Sequence, residues 1–147
     1  MMGHLVGIAR AYELGAPLEE MPAVSVFVEQ GVEGDARGRK NGRQVTVLFR
    51  KGWEDACHDV GADLPWITRR ANLLLANVDW PREAGGLLRI GDVELQITME
   101  TRPCHLMDRA HDGLRAALRP GWRGGVCCVV RRGGNIKLGD AAEYVDR

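Results

Sequence analysis

No run of the roughly 18–20 apolar residues that a membrane-spanning helix needs occurs in this 147-residue chain. Aromatic residues make up only 5%, too few for the stacking platforms of a single-strand nucleic-acid binder. Neither sign of charge is in excess, with 20 basic against 20 acidic side chains. That balance argues against a strongly basic nucleic-acid partner. The four cysteines form no C-x-x-C pair, so a structural zinc site or a disulfide framework is not expected. A phosphate-cradling P-loop, a G-x-G-x-x-G and a G-x-S-x-G are all missing. The first residues, Met1-Met2-Gly3-His4-Leu5, carry no basic segment followed by a long apolar stretch. The sequence therefore predicts a cytoplasmic chain without a secretory leader, folded as one domain over residues 1–147.

What is present is unevenly distributed. Residues 36–51 hold six basic side chains (Arg37, Arg39, Lys40, Arg43, Arg50, Lys51) and no acid. Residues 113–139 hold another six (Arg115, Arg119, Arg123, Arg131, Arg132, Lys137), again without an acid. Arginine dominates, and its planar fork suits bidentate capture of phosphate or carboxylate. If the two stretches meet in space, they form a localised anion site.

Short apolar runs with turn residues between them predict strands over residues 5–12, 23–28, 44–49, 87–90, 126–131, 136–138 and 142–145. The clearest covers residues 92–100. There Val93, Leu95, Ile97 and Met99 alternate with Glu94, Gln96, Thr98 and Glu100. Residues 71–78 fit strand or helix. Helical spacing predicts one helix over residues 52–60 and another over 105–118, the second ended by Pro120-Gly121. Gly133-Gly134-Asn135 reads as a hairpin turn joining residues 126–131 to 136–138. Helices do not alternate with strands, so a mainly β fold is expected, a barrel or strongly bent sheet with two or three short helices.

Four constellations could carry chemistry. Gly31-x-x-Gly34-Asp35 lets the backbone turn tightly near a ligand, with Asp35 free to orient an arginine. Thr68-Arg69-Arg70-Ala71-Asn72-Leu73 sets Arg70, an anion holder, beside Asn72, which both donates and accepts. Thr101-Arg102-Pro103-Cys104-His105 places Cys104 where a strand stops and a helix begins. Arg102 and the helix terminus there would favour the thiolate, the form that attacks sulfur or binds a soft metal. Gly121-Trp122-Arg123-Gly124-Gly125 offers a flat ring, a guanidinium and close backbone approach. Cys127 and Cys128 sit in the strand-like Val126–Val130 run, and one of them should face inward. Cys57 reads as structural.

In order and spacing, these elements resemble the MOSC domain, the C-terminal module of molybdenum-cofactor sulfurases that also occurs as a small standalone protein. Arg43-Gln44-Val45, Ile90-Gly91-Asp92, Gly113-Leu114-Arg115, Trp122-Arg123-Gly124-Gly125-Val126 and Gly139-Asp140 complete the match. The resemblance implies a β-rich, barrel-like fold. It also implies a molybdopterin-type cofactor as ligand, with the family cysteine, matched by Cys104, as thiolate ligand to molybdenum. Arg43, Arg70, Arg102 and Arg123 would hold phosphate or pterin edges, Gly34 and Gly124 would permit close approach, and Asp35 and Asn72 would orient the site. The activity implied is reduction of N-hydroxylated or N-oxide substrates, with electrons from a separate partner. One alternative is a sulfur carrier that receives a persulfide on Cys104 from a cysteine desulfurase. Another is a non-catalytic module for anionic heterocycles. Pyridoxal phosphate is not expected, because that group belongs to the desulfurase domain preceding the module in full sulfurases. Many standalone members carry His where this chain has Arg37.

Overall fold

The computed structural model describes residues 2–38 and 42–146. Its elements are β1 (His4–Arg10), β2 (Glu19–Glu20), β3 (Ala23–Phe27), β4 (Gly31–Val32), β5 (Val45–Phe49), α1 (Arg50–Val60), a 3-10 turn (Trp66–Arg69), β6 (Leu73–Ala76), β7 (Leu87–Ile90), β8 (Val93–Glu100), α2 (His105–Ala110), α3 (Leu114–Leu118), a second 3-10 turn (Pro120–Trp122), β9 (Val126–Arg132), β10 (Gly134–Lys137) and β11 (Ala142–Val145). None of the described helices is long and apolar enough to cross a membrane.

Eight strands form one mixed sheet in the order β11-β7-β8-β9-β5-β6-β1-β2. Only β5 and β6 pair in parallel, because α1 and the first 3-10 turn carry the chain over the sheet between them, as a parallel pair requires. The two ends of the sheet bend round until they touch. His4 and Ala141 form a bridge, Leu5 N–H donates to the Asp140 carbonyl at 2.9 Å, and Ala142 N–H donates to the Gly3 carbonyl at 2.9 Å. The expected barrel is therefore a strongly bent sheet joined at one bridge, not a continuously paired cylinder.

The predicted strands form, with three informative departures. Val93, Leu95 and Ile97 are buried as the alternation requires, but Met99 is 40% exposed. The register of β8 against β9 shifts between Ile97 and Met99, and a bulge of this kind turns the next side chain off its face. The single helix expected over residues 105–118 is two, because Gly113 takes φ +86° between them, a value an α-helix excludes. The expected hairpin does not form. β10 pairs with β3 instead of β9, giving a separate three-stranded sheet in the order β10-β3-β4.

Two apolar clusters result. One fills the inside of the bend with Leu5, Ile8, Val47, Phe49, Leu75, Leu95 and Ile97 among others. The second lies between Leu48 and Leu74 of the sheet and Trp53, Ala56, Met107, Leu114 and Leu118 of the helices. Because the sheet is covered on both faces at β9, Cys127 and Cys128 are both fully buried, where one inward-facing cysteine was expected.

Candidate functional site

Where β5, β6, β8 and β9 converge under α2, the chain leaves a cavity of about 180 Å³. Four arginines line it: Arg37 from the loop after β4, Arg43 from the approach to β5, Arg69 from the end of the first 3-10 turn, and Arg70 just after it. Thr46 and Val47 of β5, Ala71 and Asn72 before β6, Thr101 and Cys104 after β8, Leu106 and Met107 of α2, and Gly124 before β9 complete the wall.

Cys104 is the only exposed thiol; Cys57, Cys127 and Cys128 are buried. Its extended backbone precedes α2 directly, and its carbonyl accepts the Met107 N–H at 3.0 Å. α2 has six residues and an acidic Asp108 in its first turn. The positive charges on the wall that Cys104 shares are the guanidinium groups of Arg37, Arg43, Arg69 and Arg70.

Arg69 escaped the sequence reading, although it stands beside Arg70 in the quoted motif. It is 8% exposed. Its Nε donates to the Gly124 carbonyl at 3.0 Å and its Nη2 to the Thr101 carbonyl at 2.7 Å. These bonds clamp the segment leading to Cys104 against the segment leading into β9. The clamp requires glycine at 124, where a Cβ would stand 2.5 Å from the Thr101 carbonyl oxygen and 3.1 Å from Arg69 Nη2. Burial pulls the Arg69 pKa below the ordinary arginine value, while Cys104 and Cys127 pull it back up and Arg43 lowers it further. The group remains a cation at any physiological pH.

Arg70 points the other way, with Nη2 donating to the Ala16 carbonyl at 2.8 Å. Its backbone is left-handed, φ +64°, an unfavourable conformation for a residue with a Cβ. Arg37 holds it there. Nη1 of Arg37 donates to the Arg70 carbonyl at 2.6 Å and Nε donates to Asp35 Oδ1 at 3.1 Å. The Asp35 side chain is fully buried, and the same oxygen accepts the Ala11 N–H at 2.9 Å. Asp35 thus holds Arg37, and Arg37 in turn holds the Arg70 backbone. Burial first, then the Arg37 charge, lower the Arg70 pKa, and Asp35 offsets part of this.

Asn72, 2% exposed, spends its side chain on the scaffold. Oδ1 accepts the Thr46 N–H at 3.0 Å and the Thr46 hydroxyl at 3.3 Å, and Nδ2 donates to the Ala9 carbonyl at 3.2 Å. It fixes β1 and β5 on either side of the cavity.

Four expected site residues lie off this cavity: Gly34, Asp35, Arg102 and Arg123. Arg123 turns away, with Nη1 donating to Asp59 Oδ2 at 2.6 Å and to the Ala117 carbonyl at 2.9 Å. Its neighbours Pro120–Trp122 form a 3-10 turn that leads the side chain toward α1 and α3. Gly34 and Asp35 belong to a second hollow with Tyr12, Gln30 and Ala36, so Asp35 reaches the Cys104 cavity only through Arg37. There a Cβ would stand 3.0 Å from Arg10 Nη1. Arg102 is exposed and lines a more open groove of about 470 Å³ with Arg43, Met99, Glu100 and Trp122. Arg43 is common to that groove and the Cys104 cavity. The two acid-free basic stretches pair through β5 and β9, but among the described residues the second contributes no cation to this cavity. The cations of the cavity come from the first stretch and from the 69–70 pair. Arg39 and Lys40 lie outside the described residues.

A family model described as the MOSC domain matches residues 35–143. Among solved structures, the YuaD protein of Bacillus subtilis superposes with a TM-score of 0.80 at 16% identity, covering 100% of this chain and 97% of that one. YiiM of Geobacillus stearothermophilus superposes at 0.76 and 15% identity, over 99% of this chain and 76% of that one. YiiM of Escherichia coli superposes at 0.67 and 16% identity, over 97% and 70%. A search of curated proteins returns no match. At these identities the structural likeness speaks for the fold alone, and the family model carries the assignment: the chain belongs to the MOSC domain family.

Proposed function

We propose that this protein binds a molybdopterin-type cofactor in the arginine-lined cavity, with the Cys104 thiolate as the protein's ligand to molybdenum. The observation that carries the reading is the placement of the one exposed thiol on a wall it shares with Arg37, Arg43, Arg69 and Arg70. The donor set fits such a group. Thiolate is a soft ligand suited to a metal already rich in sulfur. Among the described residues no three His, Cys, Asp or Glu side chains come together to cage a bare ion, so the metal would enter with ligands of its own. Of the four cavity arginines, only Arg37 has a carboxylate within ion-pair distance among the described residues, which leaves the others for anionic cofactor edges.

A cavity of about 180 Å³ is smaller than the roughly 300–1,000 Å³ that encloses a whole drug-sized ligand. It takes the metal-bearing head of a larger molecule, and the groove beyond Arg43, with Trp122 and Arg102, takes the remainder. When bound, the molybdenum centre would supply oxygen-atom chemistry, such as removal of oxygen from an N-hydroxylated or N-oxide substrate, with two electrons and two protons delivered by a separate donor protein. Cys104 fixes the metal, Arg43 and Arg70 bind anionic edges, and Asp35 and Asn72 hold the arginines and strands in place.

The test is molybdenum content after anaerobic expression in a cofactor-competent host. Wild type is expected to retain the metal and Cys104→Ala to lose it; equal content would overturn the reading. Exposure of Cys104 also supports a sulfur-carrier role. Incubation with a cysteine desulfurase would then add the mass of one sulfur atom to the Cys104 peptide, and addition only at Cys57 would count against carriage.

A further inference from the structure

Two of the three arginines without a carboxylate partner are at least half committed to the scaffold or the surface. Arg70 spends Nη2 on Ala16, and Arg43 is exposed. Arg69 differs. It is more than nine-tenths buried, and no described carboxylate lies within ion-pair distance of it. Its Nε and Nη2 are held by backbone carbonyls, which carry no charge to offset its own. Nη1 has no hydrogen-bond partner among the described residues, and Arg69 lines the cavity. Glu100 acts on it only from beyond ion-pair distance, so this buried cation is incompletely compensated, which is costly, and an anion entering the cavity would relieve that cost. The carbonyl that accepts from Nη2 belongs to Thr101, three positions before the reactive sulfur.

We infer that Arg69 is a positioning and specificity residue that makes the Cys104 cavity a subsite for a compact oxyanion, so that the group presented to the Cys104 sulfur is selected for negative charge. This rests on Cys104 being the working sulfur of the site and requires no metal. Nη1 receives the anion while Nε and Nη2 keep the two loops in register, so a single guanidinium ties anion binding to sulfur placement.

A pair of alkylating reagents of matched reactivity and different charge tests it. Iodoacetate and iodoacetamide both displace iodide with the same thiolate, so the ratio of their rates at Cys104 cancels the thiolate fraction and reports the field on the incoming group. In the metal-free wild-type protein the iodoacetate-to-iodoacetamide ratio is expected to exceed that of the same cysteine in the urea-unfolded chain by about fivefold, the effect of one nearby charge at partial screening. Arg69→Met should lower the ratio most of the way toward the unfolded value, the remainder coming from Arg37, Arg43 and Arg70 on the same wall, and Arg69→Lys should keep most of it. A merely structural role would change both rates together and leave the ratio alone.

Should the variants not fold, the wild type still decides the matter. Inorganic phosphate at constant ionic strength should slow iodoacetate more than iodoacetamide. An unchanged ratio in folded Arg69→Met, or equal phosphate protection against both reagents, would overturn the inference. A wild type that retains no molybdenum after anaerobic expression yet shows the charge preference would overturn the cofactor reading and leave this one standing.

Discussion

The Arg69 guanidinium and the Thr101 carbonyl lie 2.7 Å apart. Through that bond, the end of the first 3-10 turn fixes where β8 delivers Cys104. The same side chain reaches the Gly124 carbonyl at 3.0 Å, so three segments distant in sequence are locked at one point. The clamp is buried, and a charge-assisted hydrogen bond there is worth more than a surface ion pair.

Gly124→Ala should break this clamp. The added methyl would stand 2.5 Å from the Thr101 carbonyl oxygen, and overpacking of this kind costs about 1–3 kcal/mol. Urea denaturation should show a lower midpoint with an unchanged slope, and Cys104 alkylation by neutral iodoacetamide should change as its loop shifts. A stability within error of wild type would mean that the loops yield freely.

Arg123→Ala should leave the cavity intact. Its partners are Asp59 and the Ala117 carbonyl, and Asp59 is 49% exposed at its side chain. Such a pair contributes about 0–1 kcal/mol. Phosphate protection of Cys104 should match wild type, whereas Arg70→Ala should weaken it severalfold. A loss of protection in Arg123→Ala equal to that in Arg70→Ala would place Arg123 back in the site.

Stability should fall at alkaline pH. Burial, and then Cys127, hold the Cys128 thiol far above the ordinary range. Burial also pushes the Cys57 thiol up. In the unfolded chain both thiols ionise near about pH 8.5. Above that pH the native state binds more protons than the unfolded state, so the stabilisation is complete below it and is lost as pH rises toward the folded values, by up to about 1.4 kcal/mol per pH unit for the fully buried Cys128 thiol. Urea midpoints measured against pH should therefore decline above about 8.5, and Cys128→Val should decline less steeply. Identical alkaline limbs would contradict the assignment.

Much of the fold was legible because strand formation here is a local matter. Val93, Leu95 and Ile97 alternate with polar residues, and burial follows that alternation until a bulge, which has no sequence signature of its own, exposes Met99. The break at Gly113 and the partner of β10 were hidden for related reasons. Helical spacing continues through residues 105–118 whether or not one glycine turns left-handed, and a glycine turn says nothing of which strand lies nearest.

Arg69 and Arg70 carry the same division to the site. As neighbours with one chemistry, they are indistinguishable in the sequence, yet one points to Thr101 and Gly124 and the other to Ala16. By itself the order of residues determined a mainly β chain of the MOSC family, because alternation, turn glycines and motif spacing act over a few residues at a time. Only the tertiary structure decided which arginines share a cavity with Cys104, because a side chain's direction depends on turns and registers set by contacts far along the chain.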